Sequence, residues 1–153
     1  MINTIMRLFE LANNPYPFVI SKSNGEYLEH SFKTEAGTKY LVGLSTIGRE
    51  GEQRIEIDFS VLQSSGHTTS LQTNTGDAYR VFATVKAVLD SYFHSSQRFN
   101  PEGIEYIEMR ADTDEPSRIK LYNRMMPKLV IPGFELDEPF QSGQYIMYRW
   151  SPV

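Results

Sequence analysis

Apolar and polar positions alternate most cleanly in "QRIEIDFSVL", residues 53–62. Ile55, Ile57, Phe59 and Val61 fall on one side, and Glu56, Asp58 and Ser60 on the other. A period of two predicts a strand with one buried face. "EYLEHSFKT" sets Tyr27, Glu29 and Ser31 against Leu28, His30 and Phe32, and "KYLVGLSTI" reads as a further strand. Between them lie "SNGE", "EAGT" and "REGE". These are turn signals, and Asn24 and Gly25 in the first can take positive φ. Three strands joined by short turns predict an antiparallel meander.

The period then changes. Residues 63–76, "QSSGHTTSLQTNTG", are polar and read as a loop with a ragged strand end near Ser70 to Thr73. From about Asp77, Ala78, Val81, Val85, Val88, Leu89 and Tyr92 recur at helical spacing. "NPEG" resets the chain before a strand, "IEYIEMRA". "DTDEP" has the acidic cap candidates and first-turn proline of a helix start. The helix "SRIKLYNRMMPKL" aligns Ile119, Tyr122, Met126 and Leu129, and Pro127 should end or kink it. The tail "GFELDEPFQSGQYIMYRW" reads as two strands around "QSG". At the other end, Ile5, Met6, Phe9 and Ala12 suggest a short helix over 3–13, broken by "NNPYP". The order is helix, three antiparallel strands, helix, strand, helix, two strands: one α+β domain over 1–153.

Composition narrows the function. With 153 residues, 40% hydrophobic and 22% charged, the chain suits one domain that buries its own core. It has no cysteine, which excludes disulfides and thiolate chemistry. The net charge of -4 argues against a general nucleic-acid binder. No apolar run reaches the roughly 18 residues of a membrane span, and "MINTIMRLFELANN" lacks the apolar core of a signal peptide. The expectation is a cytoplasmic protein with no membrane partner. His30, His67 and His94 are isolated, so no metal site is expected. Neither a P-loop nor a dinucleotide fingerprint is present, and "GLSTIG" misses nucleophile-elbow spacing by one residue.

The element order, with a loop-to-helix junction after the meander, resembles the fold of the GNAT acetyl-CoA-dependent N-acetyltransferases. The strand "IEYIEMRA", the helix "SRIKLYNRM" and "PGFEL" carry the likeness. GNAT proteins commonly have Leu-Tyr on the fourth helix and Gly-Phe entering the next strand; Leu121-Tyr122 and Gly133-Phe134 stand in those places. "GDAYRVFATV" with "SRIKLYNRM" also looks like uncharacterised GNAT-like proteins of tailed bacteriophages. The resemblance covers roughly residues 38–150. It implies a mixed, mainly antiparallel central sheet with helices on both faces, acetyl-CoA as cofactor, and an amine-bearing small molecule or protein as acceptor. The alternative is a non-catalytic phage accessory protein that binds a host or virion protein. A phage-encoded chain would act in the host cytoplasm. Two features depart from the pattern: Thr73 stands where the pyrophosphate loop usually has Gln or Arg, and "NRMMPKLVIP" lengthens the path from Leu-Tyr to Gly-Phe.

On that resemblance, Thr73, Thr75, Gly76, Asp77 and Ala78 would hold the CoA pyrophosphate, because free N–H groups at a helix start attract anions. Asp77 pulls the other way: its carboxylate suits an ordinary N-cap and would repel the anion. The resemblance makes Tyr122 the acid that protonates the departing thiolate; helical spacing also suits it to the core. Glu56 or Asp58 would act as base, or simply solvate a sheet face. Lys120, Arg124 and Lys128 line one helix face, with Arg118 and Arg110 as weaker extensions; they could meet a CoA phosphate or remain a solvated face.

Overall fold

A computed structural model describes residues 14–62, 68–69, 78–95 and 99–153. It contains strands β1 (Phe18–Ser23), β2 (Tyr27–Lys33), β3 (Lys39–Arg49), β4 (Glu52–Leu62) and the two-residue β5 (Thr68–Thr69). Helix α1 (Ala78–Phe93), β6 (Ile104–Asp112) and helix α2 (Pro116–Met125) follow. A 3-10 turn (Met126–Lys128) then leads to β7 (Phe134–Leu136), β8 (Phe140–Ser142) and β9 (Tyr145–Pro152). The strands form one sheet in the order β1-β2-β3-β4-β6-β9-β7, with β5 on β4 and β8 on β9. Every pairing is antiparallel except β4 with β6. A parallel pair needs a long crossover, and α1 lies within it.

Register assigns each side chain to a face. Leu28 pairs with Leu44, Leu44 with Ile57, and Ile57 with Met109. Met109 pairs with Tyr148. The apolar face therefore runs unbroken across β2, β3, β4, β6 and β9. Both described helices pack on it. Phe59 meets Phe82 of α1, Phe82 meets Tyr122 of α2, and Tyr122 meets Tyr148 of β9, with ring centroids 5.4–6.1 Å apart. The helix expected over 3–13 lies outside the described residues, so the helices seen flanking the sheet share one side. The opposite face carries Tyr27, Glu29, Gly43, Glu56, Asp58, Glu108, Arg110 and Arg149.

The α1 stripe is wider than its spacing predicts. Phe82, Ala83, Thr84 and Phe93 are buried along with Val81, Val85, Val88, Leu89 and Tyr92. Thr84 fits because its hydroxyl accepts from the Tyr16 amide and donates to the Arg80 carbonyl, both at 2.8 Å. α2 stops at Met125, and Pro127 sits in the following 3-10 turn, as its missing donor requires. Pro116 starts α2, but Glu115 makes no side-chain cap.

Two strands escape the sequence pattern. β1 is an edge strand exposed from Val19 to Ser23, so nothing imposes alternation on it. The tail, read as two strands, holds three, because β7 and β8 are separate strands of three residues each. The "SNGE" turn uses no positive φ; the Asn24 side chain closes it, with Oδ1 accepting from the Glu26 and Tyr27 amides at 2.9 Å. The strand end expected near Ser70 to Thr73 lies outside the described residues; the two-residue β5 stands just before it at Thr68–Thr69.

Candidate functional site at the splayed strand pair

β4 and β6 do not stay together. Their ladder runs from Gln53–Ile104 to Ile57–Met109 and ends there. Yet β4 continues to Leu62 and β6 to Asp112. Beyond the last pair the strands part, leaving backbone groups of Asp58, Phe59 and Ser60 on one side and of Arg110, Ala111 and Asp112 on the other outside this ladder. Unpaired buried backbone seeks other partners.

One partner is Arg118, on the first turn of α2. Its Nη2 donates to the Phe59 carbonyl at 2.6 Å and its Nε to the Tyr122 hydroxyl at 3.0 Å. Nη1 reaches both Glu115 carboxylate oxygens only at 3.5 Å. Arg118 is 8% exposed and Tyr122 0%. Four residues separate them, which on a helix is one face. Sequence reading placed Arg118 with the exposed cations of α2; its spacing to Tyr122 was the available signal for burial. Lys120, Arg124 and Lys128 are exposed as expected.

The Tyr122 oxygen accepts from Arg118, and its own proton goes to no described residue. Burial raises its pKa above the usual phenol value; the Arg118 charge and hydrogen bond pull downward but do not prevail. The phenol therefore keeps its proton at neutral pH. The core expectation for Tyr122 holds, since its ring is fully buried, and its hydroxyl is linked through Arg118 to the Phe59 carbonyl on β4.

The N-terminus of α1 stands next to α2. Arg124 Nη1 donates to the Tyr79 hydroxyl at 2.7 Å, on the first turn of α1. Ala78 is the first residue of that helix. Thr73, Thr75, Gly76 and Asp77 lie outside the described residues.

Glu56 and Asp58 lie on the polar face where β4 approaches the parting. Glu56 pairs with Arg54 at 3.3 Å. The Asp58 carboxyl is shifted upward, chiefly by desolvation and then by Glu56, with Arg110 opposing. Asp58 also borders a cavity of about 360 Å³ with Tyr27, Glu29, Leu41, Gly43, Phe59 and Ser60. Glu29 is buried there, accepting from Tyr27 Oη at 3.0 Å and Ser21 Oγ at 2.7 Å. At Gly43 a Cβ would come within 2.6 Å of the Tyr27 hydroxyl, so a side chain there would push the Tyr27 ring aside. Tyr27 and Glu29 were not singled out from sequence, although the alternation had put them opposite the apolar side chains of their strand.

A second cavity, about 480 Å³, lies between α2 and the β7–β9 region. Ile119, Tyr122, Met126, Leu136, Phe140 and Tyr148 are among its walls. Among the described residues no His, Cys, Asp and Glu group could hold a metal. None of the described helices is long and apolar enough to cross a membrane.

No protein-family model and no curated protein matches the chain. Among solved structures, it is similar to a spermidine N-acetyltransferase SpeG K23-Y30 chimera from Vibrio cholerae and hSSAT. That match has 12% identity over 84% of this chain and 69% of that one, with a TM-score of 0.49. The SpeG R149-K152 chimera from the same sources matches at 12% identity over 99% and 91%, with a TM-score of 0.48. Likeness at this level leaves the activity to be argued from the site itself.

Proposed function

We propose that this chain is an N-acyltransferase that moves an acetyl group from acetyl-CoA directly to an amine. The observation that carries the reading is the parted end of the β4–β6 pair. A pantetheine arm is a chain of amides, and it needs unpaired strand backbone to bond to. Asp58–Ser60 and Arg110–Asp112 lie beyond the last pair of that ladder. Three further features support the reading. The Tyr122 phenol is protonated at the same place, suited to give its proton to a departing thiolate. Arg124 stands by the first turn of α1, where phosphates would be drawn by charge and by free amides of the kind expected over Thr73, Thr75, Gly76, Asp77 and Ala78. Asp58, with its raised pKa, and Glu56 lie on the open face from which an amine would approach, and either would take the proton the amine releases.

A second reading is favoured by one observation. Tyr122 is fully buried and Arg118 already holds the Phe59 carbonyl, so the parted end is occupied by the protein itself. A non-catalytic phage accessory protein on the same fold would keep such an arrangement and use its surface to bind a host or virion protein.

Thermal denaturation with acetyl-CoA separates the two. At 100 times its dissociation constant a ligand adds about 2.7 kcal/mol, which corresponds to roughly 5–10 °C for a chain this long. A rise of that size supports the transferase. An unchanged midpoint at millimolar acetyl-CoA contradicts it.

A further inference from the structure

Arg118 has more donors than the protein uses. A guanidinium carries five N–H groups. The Nε hydrogen goes to Tyr122 and one Nη2 hydrogen to the Phe59 carbonyl. At Nη1 there is only the 3.5 Å approach to Glu115, too long for a strong bond. The second Nη2 hydrogen has no partner among the described residues. Buried polar groups are normally satisfied, so a guanidinium 8% exposed with an unused N–H stands out. Its counter-ion is also incomplete, since Glu115 touches it only at that long distance. What the guanidinium lacks is an oxygen that accepts hydrogen bonds and gains negative charge.

Resting on the transferase reading above, we propose that Arg118 is a catalytic residue that holds the carbonyl oxygen of the thioester and stabilises the oxyanion formed there. The electron count is simple. The amine lone pair forms a C–N bond to the thioester carbon, and the C=O π pair moves onto oxygen, where the Arg118 N–H groups meet it. The ammonium formed on the substrate nitrogen gives one proton to a carboxylate on the polar face. Collapse restores C=O and breaks C–S. The electron pair leaves on sulfur, which takes the Tyr122 phenol proton. Proton return from the carboxylate to the phenol completes the cycle, with amide and thiol as products.

The fork matters as much as the charge. Arg118 bonds Tyr122 through Nε and β4 through Nη2, so the plane of its remaining donors is fixed at both ends. Pre-set donors facing developing charge are worth more than mobile ones. A lysine would keep the cation but could not span both contacts.

The test needs no acceptor amine. Acetyl-CoA and S-ethyl-CoA, in which CH2 replaces the thioester carbonyl, are titrated calorimetrically into wild type, Arg118→Lys and Arg118→Met. The wild type should bind acetyl-CoA about tenfold more tightly, the factor one charge-assisted hydrogen bond supplies. Arg118→Met should bind the two equally, and Arg118→Lys should recover only part of the difference. Isotope-edited infrared spectra of bound 13C-acetyl-CoA give a second readout: the carbonyl stretch should lie lower on wild type than on either variant. If Arg118→Met fails to fold, the wild-type and Arg118→Lys comparison and the carbonyl frequency decide. Equal wild-type affinity for the two compounds, or a carbonyl stretch unmoved by the substitutions, overturns the role of Arg118 while the donor site stands. If neither compound binds wild type, the donor site itself fails, and the role of Arg118 with it.

Discussion

The two ends of one strand pair, β4 and β6, are built differently. At its start, β4 lies against β6 in a regular parallel ladder from Gln53–Ile104 to Ile57–Met109. Five residues later β4 has no ladder to β6, and a single side chain, Arg118, reaches the Phe59 carbonyl. The apolar face is the same at both ends: Ile55, Ile57, Phe59 and Val61 are all buried. Core packing and backbone pairing are thus separable along one strand. At the closed end β4 and β6 pair with each other; at the open end each keeps only its outer neighbour, β4 with β3 and β6 with β9, and the edges that face one another are left to Arg118 or to a ligand.

The largest effect should come from the closed end. Ile107 is fully buried and pairs with both Ile55 and Trp150. Ile107→Ala should lose about 2–5 kcal/mol in urea denaturation. A loss under 1 kcal/mol would show that the closed end is not the anchor. At the open end, the proposed transferase role predicts that Tyr122→Phe cuts acetyl turnover by about 10²–10⁴-fold and leaves acetyl-CoA affinity nearly unchanged. Unaltered turnover removes Tyr122 as the acid.

A smaller effect is expected when the bridge itself is removed. Arg118→Met strands the Phe59 carbonyl and the Tyr122 oxygen but spares the apolar packing. It should cost about 1–3 kcal/mol, the penalty for buried unsatisfied acceptors. Glu115, already partly exposed, can rehydrate. A larger loss would make Arg118 a structural strut above all.

Alkaline pH affects both ends of the sheet. The Tyr27 and Tyr148 phenols are each pushed up to about 12, mainly by burial. A folded pKa above the unfolded value of roughly 10 favours the folded state while the phenols are neutral. That contribution is complete below pH 10 and disappears as pH rises through about 12. Tyr148→Phe should flatten the fall in melting temperature over that window. An identical fall in both proteins would rule out Tyr148 as a source. The smallest effect belongs to Asp58. Its carboxyl is raised, so the folded state prefers the proton and carries a penalty once pH exceeds the folded pKa. Asp58→Asn should raise the melting temperature slightly at pH 7, and the gain should vanish below pH 4. A loss at pH 7 would show a favourable partner for the carboxylate.

The same contrast explains what the sequence could reveal. Strands β2, β3, β4, β6 and β9 were legible because each turns one side to the apolar core, which imposes a period of two on residue type even in β2, where both sides are buried from Leu28 to Phe32. β1 was not, being an exposed edge, nor was the division of the tail into three strands, because β7 and β8 are too short to show a period. The α1 and α2 stripes were legible for the corresponding reason at 3.6 residues. Tyr122, Glu56 and Asp58 could be singled out through the family resemblance, and Tyr122 also through its helix face. The resemblance implies that "QRIEIDFSVL" and "IEYIEMRA" form a splayed parallel pair, but where their ladder ends could not be read, because side-chain alternation continues past Ile57 while the backbone pairing stops. Arg118 was misjudged for a related reason. A lone arginine among cations looks solvated until the carbonyl it must satisfy, 59 residues away, is known.

The most direct measurement is a titration of 15N-labelled protein with acetyl-CoA, followed residue by residue in amide spectra. The account predicts shifts concentrated at Asp58–Ser60, Arg110–Asp112 and the Arg118 side chain, with Gln53–Glu56 unmoved. Spectra that do not change at millimolar acetyl-CoA, or changes confined to the cavity between α2 and β9, would contradict it.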